Sequence, residues 1–126
     1  MRSLLDTNTV LYLLADRLAH PMPQGEYFVS VITEIELLSY PSLTEDEEQK
    51  IQTFLDDIVL IELSRDIRSA TIDLRRKTGL KLPDAIIAAT AIVINAKLLT
   101  NDRVFDRVSG LEVTALALKE TESERS

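Results

Sequence analysis

The sequence predicts an α/β domain: a central parallel sheet of about five strands with helices on both faces. Short apolar runs of strand length alternate with longer runs whose apolar positions have helical spacing. That alternation is typical of parallel strands joined by helical crossovers. A chain of 126 residues matches one domain, to which we assign residues 1–118, and a charged, flexible tail would occupy residues 119–126.

Five apolar runs have the composition of buried strands, with leucine, aromatic and β-branched side chains. They lie at residues 4–5, 26–31, 59–61, 97–100 and 112–115. Asp6-Thr7-Asn8 follows the first run and turns the chain into an amphipathic helix. Asn101-Asp102 follows the fourth run and leads into a short helix through Val108. Polar side chains are therefore predicted at the carboxyl ends of two strands, where open α/β sheets bind their ligands.

The other helices are predicted from apolar spacing and from capping residues. Capping boxes, in which a glutamate follows a threonine by three residues, predict helix starts at residues 33–36 and 44–47. The fourth helix is predicted over residues 65–78, where Gly79 ends it. Leu82-Pro83-Asp84 begins a fifth helix, whose apolar and alanine-rich continuation indicates a central, buried position.

The composition narrows the classes of function. The chain has 14 basic and 21 acidic residues, a formal net charge of −7 and a pI near 4.7. Proteins that coat nucleic acid without specificity are usually basic because they neutralise phosphates, so this balance counts against such a role. The acidic net charge is compatible with an enzyme whose acids surround metal ions. The absence of cysteine excludes disulfides and thiol catalysis, and without a signal peptide or a membrane-spanning run we expect a cytoplasmic protein.

Four carboxylates occupy positions from which they can meet at one edge of the sheet. They are Asp6, Glu36, Asp84 and Asp102. Each alone is explained by helix capping or by a favourable helix dipole. Together, however, they follow strands or lie in the first turns of helices, and in a parallel sheet these positions share one edge. Crowded carboxylates raise one another's pKa unless a cation is bound.

Oxygen ligands of this kind suit Mg²⁺ or Mn²⁺, which are hard ions that retain several waters. Two such ions roughly 4 Å apart can activate a water and stabilise the leaving oxygen in phosphodiester hydrolysis. A divalent-metal hydrolase is therefore one hypothesis for this cluster, and four independent helix caps are the other.

The same residues carry a family resemblance. The matching motifs are Leu5-Asp6-Thr7-Asn8, Thr33-Glu34-Ile35-Glu36-Leu37, the run from Leu82 to Ala91 and the run from Leu99 to Phe105. In this order, across residues 1–116, they resemble the PIN-domain family, and most of all the toxin ribonucleases of VapBC-type toxin–antitoxin pairs. Each motif alone is weak, but the set of four is specific.

The resemblance implies an endoribonuclease that cleaves single-stranded RNA with Mg²⁺ or Mn²⁺, on a five-stranded parallel sheet. The acids that match the family's metal cluster are Asp6, Glu36, Asp84 and Asp102. Glu36 would complete that cluster and help to orient the attacking water. The supporting polar positions that match are Asn8, Thr100 and Asn101. The resemblance also implies an antitoxin partner and a homodimer, while the RNA target and the choice of metal stay open.

Three features lie outside the family pattern. Relatives often have a glycine soon after the second acid, whereas this chain has Leu38-Ser39-Tyr40-Pro41, which leaves the shape of the substrate entrance open. Asp106 follows Asp102 by four residues, and we expect it to be exposed rather than part of the site. Glu34 and Glu36 point to different sides of one helix, and the resemblance selects Glu36.

Basic residues after the third predicted strand form a candidate track for the RNA backbone. They are Arg65, Arg68, Arg75, Arg76, Lys77 and Lys81. In an acidic protein such a cluster favours phosphate contacts. The alternative is a solvated helix face whose charge is balanced by Asp66 and Asp73.

Two other classes of function compete with a nuclease. A phospho-acceptor signalling domain also gathers acids around Mg²⁺, but it needs an aspartate at the end of the central strand and a later lysine beside the acids. Here Ile61-Glu62-Leu63-Ser64 closes the third strand, and Lys97 precedes its strand rather than following it. A non-catalytic interaction module would keep the fold and use its acids as caps, and the presence of all four acids argues against it.

Overall fold

Five short parallel strands form one sheet, which confirms the predicted α/β class. The computed structural model describes residues 1–120, and residues 121–126 of the predicted tail lie outside them. The strands are β1 (Arg2–Leu5), β2 (Glu26–Ser30), β3 (Val59–Ile61), β4 (Lys97–Leu99) and β5 (Val113–Thr114). They lie in the order β3-β2-β1-β4-β5, and every neighbouring pair is parallel.

Five α-helices and one short 3₁₀ helix connect the strands. The α-helices are α1 (Thr7–Leu14), α2 (Val31–Leu38), α3 (Glu45–Asp57), α4 (Arg65–Thr78) and α5 (Leu82–Val93). The 3₁₀ helix covers Arg103–Arg107. No helix within residues 1–120 is long and apolar enough to cross a membrane.

The two faces of the sheet bury separate apolar clusters because successive side chains of a strand point to opposite faces. Leu4 packs with the inner face of α5, including Ala88, whereas Leu5 packs with Val10 of α1 and Ile51 of α3. All five side chains are buried. The helices therefore lie on both faces, and α5 is central and buried as its alanine-rich sequence predicts.

The start of α2 differs from the sequence prediction. The hydroxyl of Ser30, the last residue of β2, accepts a hydrogen bond from the backbone N–H of Ile32 at 3.1 Å and caps the helix. Thr33 thus lies inside α2, and the predicted capping box at residues 33–36 is wrong. The physical reason is that β2 passes into α2 without a loop. The second predicted box is confirmed, since Thr44 and Glu47 cap α3 reciprocally.

The order of the strands places β1, not β3, at the centre of the sheet. The aspartate that a phospho-acceptor domain needs after its central strand would therefore be Asp6, and the prediction that β3 is that strand is wrong. The lysine that such a domain needs beside its acids is still missing at Lys97, because Lys97 pairs with Ser3 at the start of β4 while Leu5 pairs with Leu99 at its end. Lys97 lies at the opposite edge of the sheet from Asp6.

The last described residues lie along the segment that follows α1. Leu18 and Leu118 form an isolated antiparallel bridge. Lys119, the first residue of the predicted tail, donates its backbone N–H to Arg17 and pairs its ammonium with Asp16 at 2.9 Å.

Candidate active site

The structure brings the four predicted acids together at the carboxyl edge of the sheet. They come from four separate places in the chain: the ends of β1 and β4, the second half of α2 and the first turn of α5. One cleft of about 340 Å³ contains them all, and its lining residues are Asp6, Thr7, Asn8, Glu36, Ser39, Tyr40, Asp84, Ile87 and Asp102.

Asp6 is the most buried and the most tightly held of the acids, with a relative exposure of 5%. One carboxylate oxygen accepts the backbone N–H of Thr9 at 2.8 Å, which makes Asp6 the N-cap of α1. The other oxygen accepts the hydroxyl of Thr100. Asp6 therefore acts as a helix cap and also lines the cleft, so the two hypotheses are not exclusive at this residue.

Thr100 connects the ends of the two central strands. Its hydroxyl oxygen also accepts the backbone N–H of Asp102 at 3.0 Å. Asp102 in turn accepts the backbone N–H of Val104 at 2.9 Å and caps the 3₁₀ helix, while its side chain remains exposed. One buried threonine thus fixes the positions of Asp6 and Asp102 relative to each other.

Glu36 is held by a residue that the sequence analysis did not single out. The hydroxyl of Thr7 donates to Glu36 Oε1 at 2.6 Å and lies 3.1 Å from the hydroxyl of Thr33. Thr7 directly follows Asp6, so the segment of chain that carries Asp6 also positions Glu36. The only signal in the sequence was the position of Thr7 within the first motif.

Asp84 is the third residue of α5 and is half-buried. Within residues 1–120 its carboxylate accepts no hydrogen bond. Burial raises the pKa of this carboxyl, repulsion from Asp102, Glu36 and Asp6 raises it further, and Lys81 opposes the shift. This repulsion shows that the four acids form one electrostatic cluster.

The supporting polar residues lie in different surroundings. Asn8 is exposed at the cleft. Asn101 points away from it: its amide N–H₂ donates to the carbonyl of Leu116 at 3.0 Å, and its amide oxygen accepts the N–H of Leu116 at 2.6 Å. Asp106 is exposed, as predicted, and pairs with Arg103 at 3.4 Å.

The cleft suits a divalent cation that keeps several of its waters better than one that is fully enclosed by protein ligands. Among residues 1–120, no three acidic, histidine or cysteine side chains are close enough to enclose a metal ion. In the same part of the chain, both oxygens of Asp84 and one oxygen each of Glu36 and Asp102 accept no hydrogen bond. Mg²⁺ keeps several waters and takes only one or two carboxylates directly. The oxygens that accept no hydrogen bond are therefore enough to bind such an ion.

The arginines of the candidate track all lie exposed on α4, and none of them lines the acidic cleft. They are Arg65, Arg68, Arg75 and Arg76. At 3.6 residues per turn they fall within an arc of roughly 100°. Asp73 pairs with Lys77, a lysine of the same basic cluster, at 2.9 Å, so this acid balances one charge of the cluster and leaves the four arginines unpaired with it.

Comparison with known proteins gives a consistent result. A family model described as the PIN domain matches residues 3–111. A chain in a toxin–antitoxin complex from Klebsiella pneumoniae is 32% identical, with a TM-score of 0.73, over 89% of this chain and 95% of that one. VapBC2 from Rickettsia felis, bound to a DNA fragment from its promoter, gives 24% identity and a TM-score of 0.79 over 93% and 100%.

A third solved structure, DNA-bound VapBC from Salmonella typhimurium, is 19% identical with a TM-score of 0.77 over 91% of this chain and 98% of that one. At these lower identities the last two structures show the fold alone. No curated protein sequence matches the chain.

Proposed function

The chain belongs to the PIN domain family, and from this premise we propose that it is a divalent-metal-dependent endoribonuclease that hydrolyses single-stranded RNA. The observation that carries the proposal is the meeting of four acids, from four places in the chain, in one cleft. Helix capping accounts for Asp6 and Asp102 only, because Ser30 caps the helix that carries Glu36, and Asp84 accepts no hydrogen bond in the part of the chain that the structure describes. The raised pKa of Asp84, caused first by burial and then by repulsion from the other three acids, also supports the proposal, because a bound cation would offset that repulsion.

The residues have distinct proposed roles. Asp6, Asp84 and Asp102 would hold Mg²⁺ or Mn²⁺, directly or through water. A cation bound there supplies the charge that activates an attacking water and stabilises the leaving oxygen. Glu36 has one oxygen fixed by Thr7 and presents the other to the cleft, where it would orient that water. Asn8 would contribute a further polar contact at the rim.

We further propose that the protein is the toxin of a toxin–antitoxin pair. Supporting this, the Klebsiella pneumoniae relative, which is 32% identical, is described as part of a toxin–antitoxin complex. An antitoxin partner and a homodimer are parts of the same proposal. Action on cellular RNA would place this activity in the cytoplasm.

The first experiment measures the thermal stability of the purified, partner-free chain with increasing Mg²⁺ or Mn²⁺. A ligand that binds only the folded state stabilises it by RT ln(1 + [L]/Kd), so each ion is expected to raise the melting temperature. Asp84→Asn is expected to abolish that rise because it removes an unengaged ligand. The assay needs no knowledge of the RNA target.

Asp106→Asn is the matched control, since Asp106 is an exposed acid outside the cleft. It should respond to metal as the wild type does. Metal-dependent cleavage of single-stranded RNA, lost in Asp84→Asn, would then test the activity. If the melting temperature of the wild type does not respond to either ion, the acids form no cation site and the chain is a non-catalytic module.

A further inference from the structure

An exposed aromatic side chain stands in the wall of the acidic cleft. Tyr40 has a relative exposure of 47%, and it lines the same cleft as Asp6, Glu36, Asp84 and Asp102. It lies in the segment Leu38-Ser39-Tyr40-Pro41, at and just beyond the end of α2. Tyr40 therefore places a solvent-accessible aromatic ring beside the four acids.

The backbone holds this ring in a defined place. Tyr40 directly follows Ser39, the C-cap of α2, whose N–H donates to the carbonyl of Glu36. Pro41 comes next and restricts the backbone of the residue before it to extended conformations. The carbonyl of Tyr40 also accepts the N–H of Leu43 at 3.2 Å. Tyr40 is therefore tied to the helix that carries Glu36.

We propose that Tyr40 is a base-stacking platform that holds one nucleotide of single-stranded RNA beside the scissile phosphate. This inference rests on the proposed function and adds a substrate-binding residue to it. Aromatic rings bind unpaired bases by stacking, which is sequence-tolerant because every base has a π face. The apolar side chain of Ile87 lines the same cleft and would exclude water next to the stacked base.

Electrostatics explains why the cleft needs such a contact. The net charge of −7 repels the phosphates of RNA from the molecule, and the four acids repel them from the cleft wherever a bound cation does not offset their charge. Stacking involves no net charge, so it attracts the substrate where ion pairing cannot. Tyr40 would thus position RNA at the cleft, while cations elsewhere on the surface contact the backbone.

Tyr40 also lines a neighbouring apolar groove of about 440 Å³ between α1 and α3, with Leu11, Leu14 and Leu43 in its walls. A partner protein is the competing ligand for the ring from that side. RNA is favoured because Tyr40 shares the cleft with the acids that would act on the phosphate, whereas the groove already has several apolar side chains of its own.

The test compares RNA binding by variants of the full chain that also carry Asp84→Asn to prevent cleavage. The probe is a fluorescein-labelled, random-sequence single-stranded RNA of about 15 nucleotides, with Mg²⁺ present. Stacking is worth 1–3 kcal/mol per base, so Tyr40→Ala is expected to raise the Kd roughly 5- to 150-fold. Because stacking releases no counterions, that factor should be the same at low and high salt.

Two further variants separate a stacking role from a structural one. Tyr40→Phe keeps the ring and is expected to restore the affinity. Val93→Ala, which truncates a 39% exposed side chain at the far end of α5 from Asp84, should bind RNA as the parent does. Melting temperatures of all variants confirm that they are folded.

The outcomes distinguish this inference from the proposed function. If the parent binds RNA and Tyr40→Ala binds it equally well, the stacking role is wrong while the nuclease proposal stands. If Tyr40→Ala keeps its RNA affinity but loses binding to a partner protein, Tyr40 belongs to the apolar groove and the inference is wrong. A parent that binds no RNA overturns the stacking role, and the nuclease proposal fails with it when the wild type also cleaves none.

Discussion

Asp6 illustrates how one residue serves the fold and the site together. Its carboxylate caps α1 through Thr9 and accepts the hydroxyl of Thr100, yet it also lines the acidic cleft. Ionised oxygens have further lone pairs after one hydrogen bond, so capping leaves coordination possible. At this residue the sequence could not choose between cap and ligand, because one carboxylate can serve as both: the structure shows the cap, and the metal role stays a prediction.

Asp84 should make the stability of the metal-free chain depend on pH. Burial and the neighbouring acids raise its folded-state pKa above the ordinary value of 3.8, so the folded chain binds the proton more tightly than the unfolded chain. The resulting stability is present below pH 3.8 and is lost as the pH rises through the raised pKa. Asp84→Asn is therefore expected to raise the melting temperature at neutral pH in the presence of a chelator, by a margin that shrinks as the pH falls toward 3.8.

Thermal unfolding of both proteins across this pH range measures the margin directly. Asp106→Asn serves again as the control, because Asp106 is exposed and pairs with Arg103 outside the cleft. A variant Asp84→Asn that is no more stable than the wild type at neutral pH would contradict the repulsion between the acids.

At the scale of the elements, the sequence predicted all five strands and five helices, and it failed where two candidate caps compete. Both Ser30 and Thr33 are good N-cap residues. Ser30 caps α2 because the helix begins where β2 ends, and Thr33 instead contacts Thr7 beside Glu36. Helix boundaries depend on where the preceding strand stops pairing, and that is set by tertiary contacts outside the local sequence.

The end of α4 depends on the backbone of one glycine. Gly79 has a φ of 71°, in the left-handed region, and its N–H donates to the carbonyl of Arg75. A Cβ at this position would meet no atom within 4 Å, so the cost of Gly79→Ala is conformational rather than steric. We expect a loss of about 1 kcal/mol in the free energy of unfolding, measured by urea denaturation.

Gly79→Asn is the matched variant, since asparagine adopts the left-handed region more readily than alanine does. Its loss of stability should be smaller than that of Gly79→Ala. Equal stability of the alanine variant and the wild type would show that the left-handed cap contributes nothing.

At the scale of the whole molecule, parallel topology made the acid cluster predictable before any side chain was placed. The carboxyl ends of parallel strands share one edge, so Asp6 and Asp102 had to lie near each other. The contacts that give the cleft its shape were not predictable. Thr7 bonds to Glu36, which lies 29 positions away in the sequence. Tyr40 lines the cleft because of the path that the chain takes after α2. The metal roles of the acids remain a prediction.

Four acids line the cleft, whereas four exposed arginines lie on α4 together with Asp66 and Asp73. If the face of α4 that carries the arginines contacts the RNA backbone, replacing Arg75 and Arg76 with alanine removes two phosphate contacts. Each contact with a single strand contributes about −0.7 to the slope of log K against log salt, so the slope should flatten by about 1.4. RNA affinity measured over a series of salt concentrations gives this slope.

Arg75 also has a structural bond, because its Nε donates to the carbonyl of Leu80 at 3.3 Å and links the end of α4 to the segment before α5. Replacement of Arg75 and Arg76 by lysine separates the two roles, since lysine keeps the positive charge but cannot reproduce the guanidinium contact. The lysine variant is expected to keep the wild-type slope even if its stability falls. If the alanine variant also keeps that slope, the face of α4 is a solvated helix surface and the RNA backbone lies elsewhere.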